Sequence, residues 1–130
     1  MQGGLIRPVM RLLGERGTVI YGHIFDVAAF VALAFVTSGT LALILTPLAA
    51  LAAVITPALQ GIMSKAVGPD AQGELQGALS SLTALAMLIS PLVMTGTFAV
   101  FTGPAATVYF PGAPFLLSAG LVLLGLVVFV

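Results

Sequence analysis

From Leu75 to Val130 the chain carries no charged side chain, and four of its eight charged residues, Arg7, Arg11, Glu15 and Arg16, fall within the short segment Arg7–Arg16. A water-soluble domain spreads charge over its whole surface, whereas this distribution suits a chain whose main solvent is lipid. Hydrophobic residues make up 60% of the sequence and charged residues 6%, against roughly 25% charged in an average soluble domain. With 130 residues and a mean hydropathy of +1.23, the expected fold is all-α, a polytopic bundle of transmembrane helices with no room for a separate soluble domain.

The same numbers exclude several functions. A formal net charge of zero leaves no basic surface for a nucleic-acid partner. The absence of cysteine removes disulfides, thiolate metal sites and cysteine nucleophiles. Met1–Ile6 is too short to be the apolar core of a cleavable signal before Arg7 and Arg11 interrupt it.

A helix needs about 20 apolar residues to cross about 30 Å of hydrocarbon. Four uncharged or nearly uncharged runs approach that length, at about 18–36, 41–63, 75–101 and 114–130. They are separated by Thr37-Ser38-Gly39-Thr40, by the polar stretch Ser64–Glu74, and by the Gly- and Pro-rich stretch Thr102–Ala113. Residues 1–17 read as the last turn of a preceding helix followed by a basic loop, and both ends of the chain read as interrupted. Arg7, Arg11, Arg16 and Lys65 all fall in the first and third connections, so loops 7–17 and 64–74 are predicted to be cytoplasmic and the other two external.

Small residues at a four-residue spacing let helix backbones approach in lipid, where no hydrophobic force acts between helices. Gly73 and Gly77, with Ser81 one turn on, have this spacing, as do Ala49 and Ala53. Pro47, Pro57 and Pro91 each remove a backbone donor and are expected to bend or loosen their helices. Such bends serve gating in some transporters and are also ordinary in membrane helices.

His23 and Asp26 are the ionisable pair inside an apolar run, three residues apart and therefore on one helical face. A carboxylate in such a span costs a few kcal/mol unless it is paired, hydrated or protonated, so it marks a water-lined cavity or a proton relay. A later helix start would instead put the pair at the interface, anchoring the helix or meeting Arg16. Other chemistries lack their residues: a single histidine provides no metal set, the carboxylates Glu15, Asp26, Asp70 and Glu74 lie on different segments, and no P-loop pattern occurs. Ser80 and Ser81 have no base near them in sequence and are expected to bond to helix carbonyls. An enzyme is not expected.

Arg7-Pro8-Val9-Met10-Arg11-Leu12-Leu13-Gly14-Glu15-Arg16, the Asp26 helix, Thr56-Pro57-Ala58-Leu59-Gln60-Gly61-Ile62-Met63-Ser64-Lys65, Gln72-Gly73-Glu74-Leu75-Gln76-Gly77 and Ser90-Pro91 follow one another along the chain. Together they resemble the C-terminal half of the major facilitator superfamily drug/proton antiporters, in the tetracycline efflux branch. The resemblance covers Gly4–Pro91 and fades in the last run. It implies that the four spans are helices 9 to 12 of a twelve-helix transporter in a bacterial inner membrane, which exports a drug-like molecule such as tetracycline by alternating access. It also implies a proton gradient as the driving force, with no cofactor, and the missing N-terminal helices as partner. Asp26 matches an acidic position of helix 9, and Arg11, Glu15 and Arg16 match a conformational loop. His23, Gln60 and Gln76 would accompany Asp26 along a proton and substrate path, although the two glutamines equally suit interhelical hydrogen bonds. Arg7 stands where that family has glycine, Gly17 where it has a further arginine, and Ser90 where it has glycine. Two other readings stay open, a non-transporting remnant or subunit and a four-helix multidrug exporter working as a homodimer.

Overall fold

The computed structural model describes residues 3–130, with side chains for all of these except residues 3–7, 9 and 48. The side chain of Arg7, counted above in the basic segment, therefore lies outside the described residues. The described residues form five α-helices: α1 (Gly3–Ala34), α2 (Gly39–Leu51), α3 (Ile55–Ala66), α4 (Gln72–Thr102) and α5 (Ala113–Phe129). Short 3-10 turns at Ala52–Val54 and Pro69–Ala71 link α2 to α3 and lead into α4.

The structure differs from the expected basic loop over residues 7–17. These residues are helical on both sides of a single corner at Gly14, where φ is 69° and ψ is 176°. Only glycine adopts that backbone readily, because a Cβ would collide with the neighbouring peptide. One residue turns the chain where a whole loop was expected. Thr18 Oγ1 donates to the Gly14 carbonyl at 2.6 Å, tying the corner to the first turn of the long apolar stretch.

The second run is one span built from two helices. Ser38 caps α2, its Oγ accepting from the Leu41 N–H at 3.3 Å. Helical hydrogen bonding then tightens to 3-10 over Ala52–Val54, just before Pro57, whose missing N–H leaves the Ala53 carbonyl without its usual partner. At the far end of α3 the backbone becomes extended at Val67, and the side chain of Gln72 covers the exposed helix terminus. Its Nε2 donates to the Ser64 carbonyl at 2.7 Å, while Ser64 Oγ donates to Gln72 Oε1 at 3.0 Å. By contrast, α4 keeps its helical run through Pro91, with Thr95 Oγ1 donating to the Pro91 carbonyl at 2.6 Å.

By length and composition three stretches can cross a membrane, Met10–Ala34, Gly39–Ala66 and Pro69–Thr102. The fourth expected span is the shorter apolar helix α5, whose 17 residues extend about 25 Å. The packing is inverted relative to a soluble domain. Buried hydrophobic positions are Ala and Val, such as Val19, Ala29, Ala52 and Ala58, whereas Leu43, Leu82, Met87 and Val128 point outward. With lipid outside, large apolar side chains lose nothing by facing out, and small ones allow helix backbones to touch.

α1 is the hub. It packs against α5, α2, α3 and the 3-10 turn between the last two, while among the described residues α4 touches only α5, α3 and its own leading turn. The closest approaches use glycines other than Gly73 and Gly77. A Cβ on Gly22 of α1 would overlap the Ile55 side chain, and one on Gly112 would overlap the backbone carbonyl of Ala34. Gly73 and Gly77 face open space, as nothing lies within 4 Å of a Cβ placed there. No residue of α4 is buried. Ser81 Oγ donates to the Gly77 carbonyl at 2.9 Å, the helix-carbonyl bond expected of it.

Candidate functional site

The connections sort by charge to opposite ends of the bundle. At one end Lys65, on the last turn of α3, donates to Glu15 Oε1 at 2.7 Å, so the corner at Gly14 and the connection into α4 lie together. Gly61, one turn before Lys65, makes room for that carboxylate, since a Cβ there would sit 3.0 Å from Glu15 Oε1. At the other end Gly112 lies on the end of α1, and the rings of Phe35 and Phe110 are 5.7 Å apart. The uncharged second and fourth connections share this end.

Among the described residues Glu15 is ion-paired with Lys65 and not with Arg11 or Arg16, both of which are exposed. Reasoning from sequence grouped Glu15 with its neighbouring arginines and missed Lys65. The signal was the solitary cation of the third connection, placed by the charge rule on the same side as Glu15. The Lys65 side chain is 72% exposed, so the pair is worth roughly 0.2–1 kcal/mol. A double-mutant cycle with Glu15→Gln and Lys65→Gln should return a coupling of that size, weakened by added salt. A coupling of several kcal/mol would show a desolvated latch.

His23 and Asp26 lie on one face of the apolar part of α1, both half-buried. His23 Nδ1 donates to the Val19 carbonyl at 2.8 Å, which leaves Nε2 directed to α5, where a Cβ on Gly125 would sit 3.9 Å away. Asp26 has no direct hydrogen-bond partner among the described residues. Along the helix axis it lies about 17 Å from Glu15 and about 12 Å from Ala34, well inside the span. The carboxylate is therefore held in an apolar helix, with His23 one turn before it.

Gln60 and Gln76 are both exposed, and among the described residues neither bonds to Asp26 or His23. They lie nearer the charged end, Gln60 five residues before Lys65 and Gln76 four residues after Gln72. Among the described residues no cluster of His, Cys, Asp and Glu is arranged to hold a metal ion.

Fold and charge distribution define a polytopic helical membrane protein, and comparison with known proteins gives its relatives. The chain is 38% identical over 92 residues to the class C tetracycline resistance protein of Escherichia coli, covering 71% of this chain and 23% of that protein. It is 40% identical over 96 residues to the class G tetracycline resistance protein of Vibrio anguillarum, covering 74% and 24%. A proton-coupled folate transporter of Rattus norvegicus is 31% identical over 116 residues, 89% of this chain and 24% of that protein. No family model matches the chain, and no solved structure does. The chain is thus a partial homologue of the tetracycline resistance proteins of the major facilitator superfamily, which are transporters and not enzymes, and it spans about a quarter of their length.

Proposed function

We propose that the chain is the C-terminal part, helices 9 to 12, of a proton-coupled antiporter that exports tetracycline or a similar drug across a bacterial inner membrane. The observation that carries this reading is 38–40% identity over 92 to 96 residues to two classes of tetracycline resistance protein, in a chain whose first apolar span holds a carboxylate. Asp26 is the proton-carrying group. His23, fixed through Nδ1 and open at Nε2, is the neighbour through which its proton would pass. Gln60 and Gln76, exposed near the charged end, would line the path only against the bundle that completes the cavity, and that end faces the cytoplasm.

Alternating access rocks two helical bundles against each other, and charged contacts at one mouth exist in one state only. Glu15 and Lys65 pair within one bundle and hold its charged end together, leaving Arg11 and Arg16 exposed beside them for a partner outside this chain. Pro47, Pro57 and Pro91, each without a backbone donor, are the positions at which the helices would adjust. The bundle that completes the cavity lies in the missing N-terminal helices, and no cofactor is needed because the proton gradient drives export. Support for the missing partner comes from α4, which spans the bundle without burying a residue. The test is drug export by the complete transporter with Asp26 intact and replaced, developed in the Discussion.

A further inference from the structure

The connection between α4 and α5 differs from an ordinary water-facing loop. Residues 103–112 contain no charged side chain, and backbone bonds tie the segment to the end of α4. The Gly103 N–H donates to the Ala99 carbonyl at 2.8 Å, the Ala106 N–H to Gly103 at 3.0 Å, and the Phe110 N–H to Phe101 at 3.0 Å. That last bond staples the end of the loop to the end of α4. Gly112 seats it against the end of α1, and the Phe110 ring packs at a tilt against Phe35. An uncharged loop pinned at these points carries no charged group that would demand water.

Its side chains point to the same conclusion. Val108, Tyr109 and Phe35 are 63%, 73% and 66% exposed and come from two connections held rigidly at one end of the bundle. Two of the three are aromatic, and Tyr109 combines an apolar ring with a hydroxyl at its tip, the combination favoured where hydrocarbon meets headgroups. Val100, next to the Phe101 carbonyl that holds the loop, is 67% exposed on the last turns of α4. The opposite end exposes Arg11, Arg16, Lys65, Asp70 and Glu74 and suits water.

We propose that the α4–α5 connection is a membrane-interface anchor, with Tyr109, Val108 and Phe35 immersed at the boundary between headgroups and acyl chains of the uncharged-end leaflet. The anchor fixes the depth of α5, whose 17 residues are short for a full crossing, by letting the bilayer meet the loop. It rests on the membrane-spanning architecture alone, so its failure would leave the transport reading untouched.

The chain has no tryptophan, so Tyr109→Trp and Val108→Trp each place a single indole in the patch, with Asp70→Trp as the water-facing reference. The 130-residue chain would be reconstituted in phosphatidylethanolamine and phosphatidylglycerol vesicles, with part of the lipid replaced by phosphatidylcholine brominated near the top of its acyl chains. Both patch indoles should emit to the blue of the Asp70→Trp reference. They should be quenched several-fold more strongly by brominated lipid than the reference, and several-fold less by aqueous iodide. Iodide access equal to that of the reference would put the loop in water. Blue-shifted emission insensitive to brominated lipid would put it against protein, a second copy or other helices. Either result overturns the proposal.

Discussion

Asp26→Asn in the complete transporter should cut proton-coupled tetracycline export by roughly a hundredfold or more, the scale on which loss of a positioned proton-transfer group acts. Asparagine matches the shape of aspartate, so packing around α1 is preserved, but it cannot take up and release a proton. The substitution also removes a carboxylate from an apolar span, where it costs a few kcal/mol unless paired or hydrated, so the amount of protein in the membrane should hold or rise. Drug susceptibility and an immunoblot of membranes, read together, separate the two effects. Unchanged export would assign Asp26 a structural role. A matching loss of protein would mean that the residue serves folding, which the absence of a direct hydrogen-bond partner for its carboxylate among the described residues argues against.

The second large effect is expected at Gly112. Its backbone is in the ordinary right-handed helical region, with φ −77° and ψ −3°, so a side chain there is not strained locally. The obstacle is the Ala34 backbone, whose carbonyl oxygen, carbonyl carbon and Cα all crowd the place a Cβ would take. A flexible side chain could swing away, but a helix end cannot. Gly112→Leu should therefore separate α1 from α5 and cost about 3 kcal/mol, the upper part of the range for overpacking. The loss should appear as a lowered melting temperature in detergent. Gly77→Leu is the counterpart, because open space surrounds that residue in this chain. It should leave the melting of the 130-residue chain unchanged and impair the complete transporter, where α4 gains neighbours.

These two glycines show where the sequence was informative. The apolar runs and the alternation of charge were legible because transfer of charge out of water dominates the free energy of a membrane chain, and that term is read residue by residue. The spans at Gly39–Ala66 and Pro69–Thr102 follow from it directly. Gly73 and Gly77 looked like a packing face because small residues at that spacing permit close approach. Permission does not name a partner, and within this chain the close approaches fall at Gly22 and Gly112. The corner at Gly14 was hidden for a similar reason. Leu-Leu-Gly-Glu-Arg resembles a loop, whereas one positive-φ residue can turn a helix and let helical bonding resume at once.

The candidate site was legible in part. Asp26 stood out because a carboxylate is costly in an apolar run, and the structure places it deep in α1. The partner of Glu15 did not stand out, because Lys65 lies 50 residues away and only the fold brings the two connections together. Gln60 and Gln76 illustrate the limit from the other side. An amide in an apolar helix announces a polar neighbour without saying which, and in this chain both face outward.

The most direct test of the account is tetracycline uptake into inside-out membrane vesicles from cells expressing the native gene, with the proton gradient imposed and then collapsed by a protonophore. The account predicts drug accumulation that appears with the gradient, vanishes with the protonophore, and is absent from vesicles of cells lacking the gene. Accumulation no greater than in those control vesicles, with the protein present in the membrane, would contradict it.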